Sequence, residues 1–255
     1  MEGSRRVTVA SSHRVEESTL LNGRVRLLQP ARGYRAGMDA ALLAAAVAAR
    51  PGETVLEAGC GAGAVLCQIG ARRPAVRFLG VEREADMAAL ARRNLVLNGL
   101  DGEVAEADVA AGFAALDRPR ADWGVSNPPF FDDPQALRAP DPAKRGAWIA
   151  DDGLEAWTDF LLAGLRDGGR ILMIHRADRL ADLLALLGRK AGSFRILPIQ
   201  PHADRPAKRV IVQAVRMGRA PLVLLPALVL HDGSDAKHAP AAEAILRGGA
   251  ALDLD

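Results

Sequence analysis

The sequence predicts an α/β fold with a mostly parallel sheet that closes in an antiparallel pair, helices covering both faces. Three observations carry this. From Thr54 onward, short β-branched runs alternate with helix-length amphipathic segments, the pattern of right-handed crossovers between parallel strands. A glycine-rich turn, Gly59-Cys60-Gly61-Ala62-Gly63, joins the first of these strands to its helix. Near the end, Val210–Val215 and Leu222–Leu230 are two strand-like runs joined by a turn-rich link at 216–221, which reads as a hairpin.

In chain order, residues 1–18 are polar and expected to be loosely ordered. Leu20 to Gln29 carries Asn22-Gly23, a type I′ turn signal between two strand-like pieces. A flexible loop, Gly33-Tyr34-Arg35-Ala36-Gly37, precedes Asp39 at a helix start, and the following alanine-leucine run stops at Arg50-Pro51-Gly52. Strands are then expected at 54–57, 76–82, 103–107, 122–126, 170–175 and 194–199. Helices are expected at 64–72, 84–98, 154–165 and 180–187, with a short last one at 241–246. Residues 1–38 form an N-terminal extension and 39–255 one large domain.

Composition narrows the classes. The chain is 49% hydrophobic and 25% charged, which excludes a disordered polymer. A net charge of +2 permits a nucleic-acid partner without demanding one. Two cysteines, Cys60 and Cys67, make neither a disulfide framework nor a metal-ligand set, so no metal is expected and the setting is expected to be reduced and cytoplasmic. No apolar run reaches the ~18 residues of a membrane span.

Chemistry concentrates at strand ends. Glu57 precedes the glycine turn, and in an open α/β sheet this is where a nucleotide-like ligand binds. Gly59, Gly61 and Ala64 satisfy G-x-G-x-x-A, so a nicotinamide dehydrogenase is one reading. Glu82, at the end of the next strand, suits both hydroxyls of a ribose in either case. Glu57 favours S-adenosylmethionine, because an acid before the glycines repels a pyrophosphate and attracts an amino-acid ammonium. A structural pair with an arginine is its other reading. Asp108 is either an acceptor for an adenine amino group or a helix cap.

Asn127-Pro128-Pro129-Phe130 ends the fourth strand of the series. Two prolines stop the ladder and stiffen the backbone. The Asn127 amide and Pro128 carbonyl offer two acceptors to a planar amine, and Phe130 a ring for its face; a plain strand-ending turn with a core phenylalanine is the alternative. Basic pairs at Arg24/Arg26, Arg32/Arg35, Lys144/Arg145 and Lys208/Arg209 are either solvated surface or RNA contacts. His175 is a polar strand-end residue rather than a catalyst.

Taken in order, Glu57-x-Gly-x-Gly-x-Gly, Glu82, Asp108 and Asn127-Pro-Pro-Phe resemble the class I methyltransferases that modify planar nitrogens. Among them the chain is most similar to the bacterial tRNA(Val) adenine-N6 methyltransferase family, through Gly33-Tyr34-Arg35-Ala36-Gly37-Met38-Asp39-Ala40 and Leu230-His231-Asp232-Gly233. That family is expected to have a tyrosine near the tail, where this chain has Lys237-His238.

The resemblance implies a Rossmann-like, mostly parallel seven-stranded sheet with a C-terminal antiparallel hairpin. It implies S-adenosylmethionine as cofactor, held by Glu57, Gly59, Gly61, Gly63, Glu82, Asp108 and Asn127. It implies a catalytic Asn127, Pro128, Pro129 and Phe130, and substrate contacts from Arg35, Asp39, Phe130, Phe131, Lys144 and Arg145. The expected reaction is methyl transfer to adenine N6 of a tRNA. Guanine N2 of ribosomal RNA and a glutamine amide of a protein are alternatives with the same chemistry, and a non-catalytic RNA-binding protein is one without it.

Overall fold

A computed structural model describes residues 14–31, 36–129 and 153–254. The chain begins with an antiparallel hairpin, β1 (Val15–Leu20) and β2 (Val25–Pro30), followed by α1 (Met38–Ala46). Next come β3 (Thr54–Ala58), α2 (Ala64–Arg72), β4 (Arg77–Glu82), α3 (Ala85–Leu97), β5 (Gly102–Glu106) and β6 (Ala121–Ser126). After the gap in description, α4 (Leu154–Gly164), β7 (Leu165–Arg176), α5 (Leu180–Leu187), β8 (Ala191–Gln200) and β9 (Arg209–Arg216) follow. The two-residue strands β10 (Val223–Leu224) and β11 (Leu228–Val229) and the helix α6 (Pro240–Leu246) complete it.

The sheet runs β10-β8-β9-β7-β6-β3-β4-β5, with β11 also on β8. β3 to β7 are mutually parallel, and β9 is antiparallel to both β7 and β8. Alternation along the strands feeds two cores. Val55, Val125, Leu172 and Ile174 face α1, α2, α3 and α6. Leu56, Val81, Ile171 and Met173 face α4 and α5. Strands apolar on both faces are what a sheet covered on both sides requires. The alanine run makes sense in this setting: Ala40 to Ala46 are all buried, so α1 is apolar all round because it is enclosed all round.

Four expectations need correction. The antiparallel hairpin is β8–β9, not a pairing of Val210–Val215 with Leu222–Leu230. The latter run is split into two short strands parallel to β8, and Pro221 and Pro226, which lack ladder donors, flank the first of them. The sheet therefore has nine strands, seven of them long. Residues 15–18, inside the stretch expected to be loose, belong to β1, which pairs fully with β2. The loop between them is four residues, with Leu21, Asn22 and Gly23 all at positive φ, rather than a two-residue turn. Finally, β7 begins at Leu165, before Gly168-Gly169, and absorbs the glycines in an irregularity opposite Ala121 to Trp123.

The hairpin is fastened to α3 by an amide ladder. Asn94 Oδ1 accepts the Leu28 N–H (2.8 Å) and its Nδ2 donates to the Leu28 carbonyl (2.8 Å). Asn98 repeats the pattern on Arg26, at 2.9 and 2.7 Å. The spacing works because four helical residues rise about 6 Å and two strand residues about 6.7 Å. No helix among the described residues is long and apolar enough to cross a membrane.

Candidate active site

Strand register assembles the site. Glu57 pairs with Val125 on one side and Gly80 on the other. Carrying both registers two residues further sets Gly59 level with Asn127 and with Glu82, across three adjacent strands. That row is about 10 Å wide at the strand spacing of parallel sheets. Glu82 in turn pairs with Glu106, so Asp108 follows just beyond the next strand. Residues scattered over 57–127 thus share the carboxyl edge of the sheet.

The turn is a tight cradle. Gly59, Gly61 and Gly63 have φ of +65°, +53° and +80°, a region side chains disfavour. Its base is fixed by the Cys60 N–H to Val81 (3.0 Å) and the Gly63 N–H to Cys60 (2.8 Å). Its exit is held by Asn94, whose Nδ2 also donates to the Ala62 carbonyl (2.8 Å). A Cβ on Gly59 would run into the indole ring of Trp157, on α4. Ser126 Oγ donates to the Ala58 carbonyl (3.0 Å), locking the end of β6 to that of β3 just before Asn127.

Glu57 is the electrostatic centre. It is 2% exposed, and its Oε2 has no hydrogen-bond partner among the described residues. Burial, and then the nearby Glu82 carboxylate, raise its carboxyl well above the usual range; the Leu66 N–H in the first turn of α2 partly offsets them. No arginine or lysine pairs with it among the described residues, so the structural-pair alternative fails there. A buried acceptor without a partner costs about 1–3 kcal/mol. A cationic ligand relieves both the missing bond and the disfavoured charge. The donor set fits an amino-acid ammonium.

Glu82 is presented differently. Its Oε2 accepts the Gly61 N–H (2.8 Å) and its Oε1 the Glu84 N–H (2.9 Å). Each oxygen keeps a lone pair, enough for two vicinal hydroxyls. Asp108 caps a 3₁₀ turn, Oδ1 accepting the Ala110 N–H (2.8 Å), and its Oδ2 lies 3.8 Å from the Arg83 guanidinium. The cap alternative is therefore realised.

Asp39, in the first turn of α1, is paired with Arg209 at the start of β9 (3.0 Å). Next to that pair, His175 is 3% exposed, and burial, with Arg176 and Arg209 adding to it, lowers its pKa to about 4. Phe130, Phe131, Lys144, Arg145 and Arg35 lie outside the described residues. Among the described residues no cluster of three or more His, Cys, Asp or Glu could hold a metal.

The sequence reading missed Trp157 and Asn94, and named Arg209 only as one of a basic pair. Asn94 had a faint signal, an amide on the buried face of an amphipathic helix four residues before Asn98. The Trp157–Gly59 and Arg209–Asp39 contacts had none, since the partners are about a hundred or more residues apart in sequence.

Residues 35–139 match the family model for the methyltransferase small domain. This is a methyltransferase fold. The ribosomal RNA small subunit methyltransferase C of Pseudomonas aeruginosa is 40% identical over 96 residues, 38% of this chain and 28% of that protein. Its Salmonella arizonae counterpart is 37% identical over 78 residues, 31% and 22% respectively. The chain thus spans under a third of the length of these curated relatives.

Among solved structures, a predicted O-methyltransferase of Agrobacterium tumefaciens superposes with a TM-score of 0.70 and 28% identity, covering 84% of this chain and 98% of that one. The T. thermophilus 16S rRNA N2 G1207 methyltransferase, solved with AdoMet and guanosine, gives a TM-score of 0.59 at 19% identity, covering 83% and 53%. The expected Rossmann-like class I methyltransferase architecture is what the chain has.

Proposed function

We propose that this protein, an S-adenosylmethionine-dependent methyltransferase by its domain match and fold, methylates an exocyclic amino nitrogen of an RNA base. The observation that carries the reading is the row Asn127, Gly59, Glu82 on neighbouring strands, with the partnerless oxygen of Glu57 buried beneath it.

When bound, S-adenosylmethionine supplies a methyl group on a sulfonium, an electrophile with a good leaving group. Glu57 takes the ammonium, Glu82 the ribose hydroxyls, and the glycine turn lets the backbone approach the ligand closely. Asp108 retains one oxygen toward an adenine amino group. On the acceptor side the difficulty is the nitrogen lone pair, delocalised into the base. The Asn127 side-chain oxygen and the Pro128 carbonyl accept its two N–H bonds, so the nitrogen pyramidalises and positive charge on it meets fixed dipoles. No general base with a tuned pKa is required. Holding the reacting groups together removes entropy from the barrier, up to about 7–11 kcal/mol in favourable model reactions. Phe130, with Phe131, stacks the base, and Arg35, Lys144 and Arg145 contact the RNA.

Two acceptors fit this site. The sequence motifs favour adenine N6 of a tRNA. The names of the curated relatives, and the guanosine in one structural neighbour, favour guanine N2 of ribosomal RNA about as well. Unmodified tRNA and ribosomal RNA, incubated with the protein and labelled cofactor, are digested to nucleosides for mass spectrometry. N6-methyladenosine in tRNA supports the first acceptor and N2-methylguanosine in ribosomal RNA the second. Label in neither RNA overturns the RNA reading.

A further inference from the structure

Three histidines from two segments, the β8–β9 loop and the link from β11 to α6, form a column at the carboxyl edge of the sheet. His202 and His231 have ring centroids 5.3 Å apart, and His231 and His238 are stacked at 5.5 Å with 21° between planes. The column is built from below. His238 Nδ1 donates to Glu243 (2.9 Å), which Arg247 also holds, and His231 Nδ1 donates to the Lys237 carbonyl (2.7 Å). Backbone bonds fix the segments: the His231 N–H reaches the Pro201 carbonyl (2.9 Å) and the Ala239 N–H that of Leu230 (2.8 Å). His238 and His231 are partly covered, while His202, at the top, is exposed.

We infer that His202 is a stacking platform for an unpaired nucleobase of the RNA that flanks the acceptor base. With the Nδ1 atoms of His231 and His238 committed to protein oxygens, the column's free feature is the open face of its top ring. Imidazole is among the rings on which unstacked RNA bases rest. The loop bearing His202 joins β8 to β9, and its base is closed by the Lys208 N–H to Ile199 (3.0 Å). It therefore stands at the same sheet edge as Asn127, about 14 Å across the sheet by three strand spacings, and beyond Leu197, the residue in register with Asn127. Arg205 and Lys208 are exposed on the loop, as is Lys237 on the segment that carries His231 and His238, and all three suit phosphates. Of the acids on these segments, Asp204 lies 3.7 Å from Arg205, Asp232 is held by Ser234, Glu243 by Arg247 and His238, and Asp235 is exposed.

The inference rests on the RNA reading above, and its test separates the two. His202→Ala, His202→Phe and His202→Lys are compared with the unaltered protein. Binding of a short single-stranded RNA carrying 2-aminopurine is followed by fluorescence quenching, alongside methylation kinetics on the RNA that accepts label and cofactor affinity by calorimetry. His202→Ala weakens RNA binding about 5- to 150-fold, the range of base–aromatic stacking, and raises KM with kcat and cofactor affinity unchanged. His202→Phe restores binding and quenching; His202→Lys does not. Unchanged thermal melts show that the fold is intact, as expected for an exposed ring. Affinity within twofold after His202→Ala, or rescue by lysine and not phenylalanine, overturns the platform while leaving RNA methylation standing. Failure of the unaltered protein to label any RNA overturns both.

Discussion

The two halves of the site are built by opposite means. The proposed cofactor half comes from one stretch, residues 57–108, in which β3, β4, β5 and the turns after them bring Glu57, the glycine turn, Glu82 and Asp108 to one edge. Its polar contacts engage backbone groups, such as the Gly61 N–H that donates to Glu82. The proposed acceptor half gathers Asn127 from the end of β6 and the histidine column from two segments of the last quarter. A turn that recognises an invariant cofactor can be local and prefabricated. A surface that selects one acceptor draws on distant segments, each free to change without disturbing the turn.

The sharpest break between the halves is Asn127→Ala. It lowers kcat by roughly 10²- to 10³-fold, the scale of losing one preoriented dipole, and leaves cofactor affinity unchanged by calorimetry. Equal losses in both quantities would mean that the halves are not separable.

Glu57→Gln acts on the other half alone. Removing one member of a buried charge pair costs about 2–5 kcal/mol, so cofactor binding falls thirtyfold or more. The free protein moves the opposite way. Because burial raises the Glu57 carboxyl in the folded state, its contribution to stability is fully present below the ordinary carboxylate pKa. That contribution is lost as pH rises through the raised value. At neutral pH the glutamine variant is therefore more stable by about 1 kcal/mol, seen in urea titration. For the same reason, cofactor affinity of the unaltered protein rises with pH, with proton release detectable calorimetrically in buffers of different ionisation enthalpy.

Gly59→Ala tests the bridge between turn and α4. The positive φ adds roughly 1 kcal/mol and overpacking against Trp157 about 1–3 more. The melting temperature drops and cofactor binding is lost. Adding Trp157→Leu recovers part of the melting temperature; no recovery would mean that the indole is not what limits this position.

His175 gives an effect confined to acid pH and absent at neutral pH. Its folded pKa of about 4 lies below the ordinary 6.5, so the unfolded chain binds a proton that the folded one refuses. Stability is lost as pH falls from 6.5 toward 4, by up to about 3 kcal/mol. His175→Gln flattens that slope in denaturant titrations, and an unchanged slope would assign it to other groups.

Much of this was legible in advance, for a physical reason. The crossover pattern and the glycine turn are statements about consecutive residues, so α2 and α5 fall where periodicity puts them, at 64–72 and 180–187. The row of Glu57, Glu82 and Asn127 follows once each is recognised as a strand end. What could not be read are choices of partner. Nothing in Val210–Val215 says whether it pairs with the run before or after it, and the tie between Asp39 and Arg209 crosses 170 positions. The Asp108 ambiguity could be listed but not resolved, because a cap and an adenine acceptor demand the same residue.

The asparagine ladder has a consequence for anyone who trims this chain. Asn94 and Asn98 occupy the outward hydrogen-bonding groups of Leu28 and Arg26, so a helix shields an edge that would otherwise invite a foreign strand. The dependence runs both ways. Asn94 is fully buried and also fixes the Ala62 carbonyl at the exit of the glycine turn. Cutting at residue 38 takes the Leu28 backbone away from Asn94 and uncovers the apolar surface on which Leu21 and Val25 pack. A truncated domain would then aggregate and bind cofactor poorly, although no residue of the hairpin lies in the glycine turn.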